Sequence, residues 1–375
     1  MKHLILFLLV LCFAACQSGV LLDSEADIVN VILPSQMLTG KPVITNNEVR
    51  IPSLAVTAAQ IEQLKEQLLS LEPQFELTPG AKILNATTPR DFTHPQEYTV
   101  VSEDGKWTKT YKFSFVSERL DINFFDFSNF DTANKYVEFY ELSGSEKFNI
   151  WASGNVGFAI TAGDAAADAY PTFATASGKV GYGAKLVTRS TGSLGAMAKM
   201  PFAAGNLFLG NFDLSCAMSR PLDATQFGVL TTMNKPVKVG LWCKYHAGDV
   251  YKNQQGEVVQ KTDKPNIYAV LYQAKTDTQG KPIKLNGNNV MTDNSIICIA
   301  VLSEQQADFI KVNNIETDDY KYIEIPFEDR AVQFDPEKQM NGKYYFTIVF
   351  SSSFYGDFFE GAVGSTLCVD EVKIF

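Results

Sequence analysis

Histidine is scarce in this chain. Beyond His3 only His94 and His246 occur. His94 precedes Pro95 and His246 opens the turn His246-Ala247-Gly248-Asp249. Neither stands near a serine or cysteine in a nucleophile motif, so each reads as a surface histidine. Carboxylates are plentiful, with 42 Asp and Glu, and a pair for glycoside cleavage is conceivable, but no spacing marks one. Binding chemistry is better represented. Sugars present apolar C–H faces flanked by hydroxyls, so their sites combine an aromatic ring with planar hydrogen-bonding groups. Trp151 heads the segment Trp151-Ala152-Ser153-Gly154-Asn155, which reads as a solvent-facing turn. Trp242 and Tyr245 lie in an apolar run where alternation puts Trp242 and Lys244 on one face, Cys243 and Tyr245 on the other. If Cys243 is buried, Trp242 faces outward and Tyr245 inward; if not, the roles reverse. Trp151 is the preferred platform of the two tryptophans, with Asn155 and Arg189 as polar partners in the same cleft. For each aromatic the alternative is a core or inter-sheet position.

The elements that carry these residues are mostly strands. Phenylalanine (27) and tyrosine (15) are abundant, and Val, Ile and Thr recur in short alternating runs. Alternation marks strands at 27–33 and 43–51, then at Tyr136–Tyr140, Gly157–Ile160, Lys185–Thr188, Leu207–Leu214, Val237–Tyr245, Ile267–Tyr272, Ile296–Leu302, Tyr322–Ile325, Tyr344–Ser351 and Leu367–Ile374. The ten from Tyr136 onward, without helical spacers, call for two packed antiparallel sheets. One helix is expected over Thr57–Leu71, where Ile61, Leu64, Leu68 and Leu71 recur at helical spacing, with Thr57 as cap and Pro73 as stop. Asp104-Gly105 between alternating runs predicts a hairpin.

The formal charge is −10, with both signs interspersed. Such a surface recruits neither nucleic acid nor anionic lipid, so no nucleic-acid partner is expected. Cys216, Cys243, Cys298 and Cys368 are too far apart for a zinc knuckle and sit in strand-like runs. They are expected to be buried free thiols, although one disulfide remains open. The first residues are different. Lys2 and His3, the apolar run Leu4–Phe13 and Ala14-Ala15 before Cys16 form a secretory signal too short to span a bilayer. The Ala-Ala-Cys order resembles the lipobox of bacterial lipoproteins, which implies that Cys16 is diacylated and becomes the first mature residue. An ordinary cleaved signal with an incidental Cys16 is the alternative. The expected membrane contact is the lipid anchor alone, at the outer membrane or cell surface.

Residues 25–118, with Asp91-Phe92-Thr93, Glu97-Tyr98-Thr99-Val100 and Glu103-Asp104-Gly105, resemble the bacterial immunoglobulin-like or cadherin-like sandwich. That implies a spacer module, with Trp107 packing its core. Residues 119–375 are similar to the Putative carbohydrate metabolism domain family. The similarity runs through Ala203–Gly210, Lys235-Pro236-Val237, Trp242–Tyr245, Ile267–Tyr272, Ile325–Glu328, Ile348–Ser353 and Glu360–Val372.

The resemblance implies a jelly roll similar to carbohydrate-binding modules. The expected fold is therefore all-β: signal peptide 1–15, tether 16–24, an immunoglobulin-like sandwich with one helix over 25–118, and a jelly roll over 119–375. Tyr355 and Glu360, in the loop before the last strand, would sit on the rim of a jelly-roll site. By the same resemblance Asp370, with Asp126 or Asp131, could hold a structural calcium as cofactor; an exposed acidic pair is the alternative. The function expected is glycan capture by the jelly roll. A protein-interaction or surface-assembly role is the second expectation and glycoside hydrolysis the third.

Overall fold

The computed structural model describes residues 23–375 apart from 35–41, 54–63, 65, 87–88, 118, 121, 133, 144–145, 163–164, 232, 279–281 and 341–342. Cys16 and the segment before it lie outside the described residues, as does most of the expected helix. Residues 64 and 66–68 are helical, and Leu68 and Leu71 bury their side chains as the spacing requires. Among the described residues no helix is long and apolar enough to cross a membrane.

The fold is all-β, and its apolar core is divided. In the N-terminal part a five-stranded sheet runs in the order Val43–Ile44, Glu48–Ser53, Thr108–Ser117, Gln96–Val101, Lys82–Ile83. Glu48–Ser53 and Thr108–Ser117 pair in parallel. A second sheet joins Ile28–Ile32 to Gln74–Leu77. Alternation selects the inward residues: Val49, Ile51, Tyr98, Val100, Tyr111 and Phe113 meet Ile28, Val31 and Phe92 in one core. The hairpin expected at Asp104-Gly105 forms with Gly105 at φ 70°, a backbone conformation that glycine adopts without cost. Trp107 does not pack the core. It lies past the turn and is 62% exposed.

The C-terminal part is one continuous curled sheet. Its main path is Thr172–Thr175, Gly183–Val187, Thr366–Ile374, Lys238–His246, Lys321–Asp329, Ile296–Val301, Asn266–Gln273, Tyr344–Ser351, Asn206–Phe212, Thr225–Phe227 and Leu285–Asn286. Lys321–Asp329 makes the turn from one layer to the other. Its first six residues pair with Lys238–Cys243 and its last three with Cys298–Ala300. Between the layers lie Phe125, Leu186, Leu209, Leu241, Cys243, Phe346, Ile348 and Val369. Asn266–Gln273 is buried on both faces, Ile267, Ala269 and Leu271 inward and Tyr268, Val270 and Tyr272 in a second cluster with Phe208 and Tyr345. Such a strand reads as a continuous apolar run.

Two expectations change here. Gly157–Ile160 is not a strand but part of the α-helix Asn155–Ala162. Short helices also interrupt the strands elsewhere, among them Glu304–Phe309, which starts at a capping box formed by Ser303 and Gln306. The four cysteines are free and buried.

Candidate functional site

A cleft of ≈ 770 Å³ opens between the two parts of the chain. One wall is the outward face of Ile28–Ile32, where Val29 and Ile32 are exposed beside Asn30. The other is built from Asn206–Phe212, the turn that follows it, and Gln226 on the next strand. Arg50 and Glu138 close the floor and tie the parts together, with Arg50 Nη2 donating to Glu138 Oε1 at 2.6 Å. Burial weakens the hold of this guanidinium on its proton, and Glu138 and then Glu48 more than restore it. Asn134 Nδ2 donates to the second Glu138 oxygen at 2.8 Å. Asp213 caps the turn by accepting from Ser215 N and Ser215 Oγ. Asn211 is 6% exposed and its Oδ1 accepts from Lys284 Nζ, while its Nδ2, like Arg50 Nε, is a buried donor without a hydrogen-bond partner. A buried amide left short of one bond marks a place where a ligand or water completes it.

Trp151 is among the residues lining this cleft. Its strand pairs with Asn206–Phe212, which turns the ring inward onto Phe125, Phe127 and Phe350. It is 7% exposed and donates Nε1 to Glu141 Oε1 at 2.7 Å, so the expected solvent-facing platform is a core residue. Burial pushes the Glu141 carboxyl up to about 8, against the pull of that indole N–H. Asn155 is also committed, since it exchanges two hydrogen bonds with the backbone of Thr172. Arg189 donates to the Asp168 carbonyl at 2.9 Å, away from the cleft. The alternation at 242–245 follows the buried-Cys243 branch. Cys243 and Tyr245 are 0% exposed, and Trp242 faces out between Tyr322 and the ammonium of Lys179, 4.2 Å from its ring centre. Lys244, expected beside Trp242, is buried instead and donates to the Asp318 carbonyl.

Tyr355 and Glu360 do come together, on a loop outside the lining of the cleft. Tyr251 OH donates to Glu360 Oε2 at 3.3 Å, and Lys261 Nζ lies 3.9 Å from the Tyr355 ring centre.

The family model described as Putative carbohydrate metabolism domain matches residues 126–375. The chain belongs to this family. A second model, for the N-terminal domain of surface glycan-binding proteins, matches residues 47–114. Among solved structures, a putative glycoside hydrolase from Bacteroides thetaiotaomicron is 40% identical, covers 94% of this chain and 97% of its own, and superposes with a TM-score of 0.78. A putative glycoside hydrolase from Bacteroides vulgatus is 34% identical over 67% of this chain and 97% of its own, with a TM-score of 0.58. No curated protein matches.

In this member of the carbohydrate metabolism domain family the expected calcium ligands do not converge. Asp370 is fully buried, and its two oxygens accept from the backbone N–H groups of Val180 and Glu371, donors that would repel a cation. Burial raises its carboxyl to about 6. Asp126 accepts from Ser128 N and Asp131 pairs with Lys147. Among the described residues no group of three His, Cys, Asp or Glu is placed to hold a metal ion. The residues missed in the sequence are those of the cleft itself. Asn30, Arg50, Glu138, Asn211 and Gln226 come from distant segments, and only the interleaving of Asn and Ser with Phe212 and Leu214 hinted at a wall.

Proposed function

We propose that this protein is a cell-surface glycan-binding protein that holds an oligosaccharide in the cleft between its two parts. The observation that carries the reading is Asn211, a buried amide with an unused donor in a wall where planar polar groups alternate with apolar edges. Asn30, Gln226 and Ser215 offer hydroxyl-matching partners, while Val29, Ile32, Phe212 and Leu214 offer surface for C–H faces. Both matched families deal with carbohydrate, and the N-terminal match is to surface glycan-binding proteins. The proposed anchor is a diacylated Cys16, supported by the residues before it. Detergent phase partitioning tests it: wild type enters the detergent phase and Cys16→Ala stays in water, whereas equal partition refutes lipidation.

Screening residues 17–375 on a glycan array tests the binding itself. The hit should weaken by at least roughly tenfold in Asn211→Ala, the loss of about one well-placed hydrogen bond. An intact variant that binds as wild type would overturn the site. Hydrolysis is the second reading, favoured by the names of the two solved relatives. The carboxylates Glu138 and Asp213 in the cleft both accept hydrogen bonds, and release of reducing ends from the bound glycan is the result that would favour this reading.

A further inference from the structure

The loop 352–363 presents more aromatic surface than the fold requires. Phe354, Tyr355 and Phe358 are 42%, 38% and 51% exposed within five residues. Exposed rings grouped in this way mark a binding face more often than scattered ones. They are also held still. Asp263, 1% exposed, accepts from Ser353 Oγ at 2.6 Å, Ala362 N at 2.9 Å, Ser365 Oγ at 2.8 Å and, through its other oxygen, Lys264 N at 2.9 Å. Phe359 is held at φ 57°, a left-handed conformation that a bulky residue keeps only when its surroundings impose it. A short strand, Tyr251–Lys252, pairs with Gly361–Ala362 and brings in the polar groups. Lys261 Nζ sits over Tyr355 and within 3.5 Å of Tyr251 OH, which in turn donates to Glu360.

We infer that this loop is a second glycan contact, gripping a polysaccharide outside the cleft. Rings held at fixed angles beside an ammonium, a phenol and a carboxylate match a pyranose chain, with C–H faces on Tyr355 and Phe358 and hydroxyls to Lys261, Glu360 and Tyr251. The carbohydrate character of both matched families selects a glycan over a protein as the occupant. The inference rests on the glycan reading and extends it: a short oligosaccharide fills the cleft, and a polymer also engages the loop, gaining affinity through linkage.

Affinity electrophoresis of residues 17–375 through gels containing starch, xyloglucan, laminarin, galactomannan or pectin tests this. The double variant Tyr355→Ala/Phe358→Ala should lose roughly tenfold or more in affinity for the polymer that retards wild type. A hexasaccharide cut from that polymer should bind the double variant as it binds wild type, and bind Asn211→Ala weakly. Lys261→Ala, which leaves the rings and the Asp263 brace in place, should give a smaller loss for the polymer and is the control should the double variant melt early. Unchanged retardation of a folded double variant and of Lys261→Ala overturns the second contact and leaves the cleft standing. Retardation by none of the polymers overturns both.

Discussion

Glu141 beside Trp151 and Asp263 under the aromatic loop are both buried carboxyls raised by burial, yet their surroundings oppose that rise unequally. Glu141 receives the Trp151 indole N–H, and burial carries its carboxyl to about 8. Asp263 is deeper but is met by four donors, which pull against a burial that still leaves it raised. Burial raises both acids; the N–H and O–H groups aimed at each set how strongly that rise is opposed. One region thereby acquires a neutral acid that serves packing. The other acquires a keystone that fixes a loop.

The comparison can be broken most directly at the ring beside Glu141. Trp151→Ala should cost about 3–5 kcal/mol in denaturant unfolding, because it empties a site walled by Phe125, Phe127 and Phe350. A wild-type melting curve would show that the ring is a surface platform after all. Next comes Asp263→Ala, which strands two hydroxyls and two backbone N–H groups and should cost on the order of 2–3 kcal/mol, with faster proteolysis of 352–363 as the local signature. Cleavage elsewhere first would mean that the loop does not depend on it.

Glu141→Gln sharpens the contrast through pH. A carboxyl whose folded value is raised from 4.5 to about 8 retains a proton in the folded state that the unfolded chain has released. Its stabilising contribution is therefore complete below about 4.5 and is lost as pH rises toward about 8. Asp370, raised to about 6 by burial, adds the same slope at lower pH. The melting temperature of wild type should fall from pH 5 to pH 8, and Glu141→Gln, which can still accept the indole N–H, should flatten that fall. Equal slopes would place the proton elsewhere. The smallest effect belongs to Trp242→Ala, outside the core, where losing the Lys179 contact should cost under about 1 kcal/mol. A loss as large as that of Trp151→Ala would erase the distinction between the two tryptophans.

Those two tryptophans also show what the sequence made legible. Alternation across Trp242–Tyr245 reduced the choice to two orientations, and burial of Cys243 selected one, because strand period is a local property. Trp151 was misplaced because Ser153, Gly154 and Asn155 look like a wet turn. In the structure they lead into a helix, and Asn155 spends its amide on Thr172, seventeen residues away. Trp107 failed the other way, since an aromatic beside a hairpin turn need not point inward. Five of the strands from Lys238 onward matched their expected limits to within one residue, whereas Tyr322–Ile325 proved to be the longer Lys321–Asp329. The cleft was invisible for a different reason: it exists only where Arg50 meets Glu138, and no local pattern encodes the approach of segments 88 residues apart.

The strand Thr366–Ile374 lies inside the sheet, paired to Gly183–Val187, Lys238–His246 and Phe124–Phe125. Its partners stand on the order of 100–250 residues upstream, so the loop entropy of those pairings must be met before their contacts repay it. Closure of the C-terminal part is therefore a slow, late kinetic event, and a nascent chain lacking residues 366–374 has an unfilled gap in its central ladder. On the reading that the first sixteen residues direct export, this order of events keeps the chain threadable for as long as a translocation channel needs it, with the sheet zipping shut only on the far side.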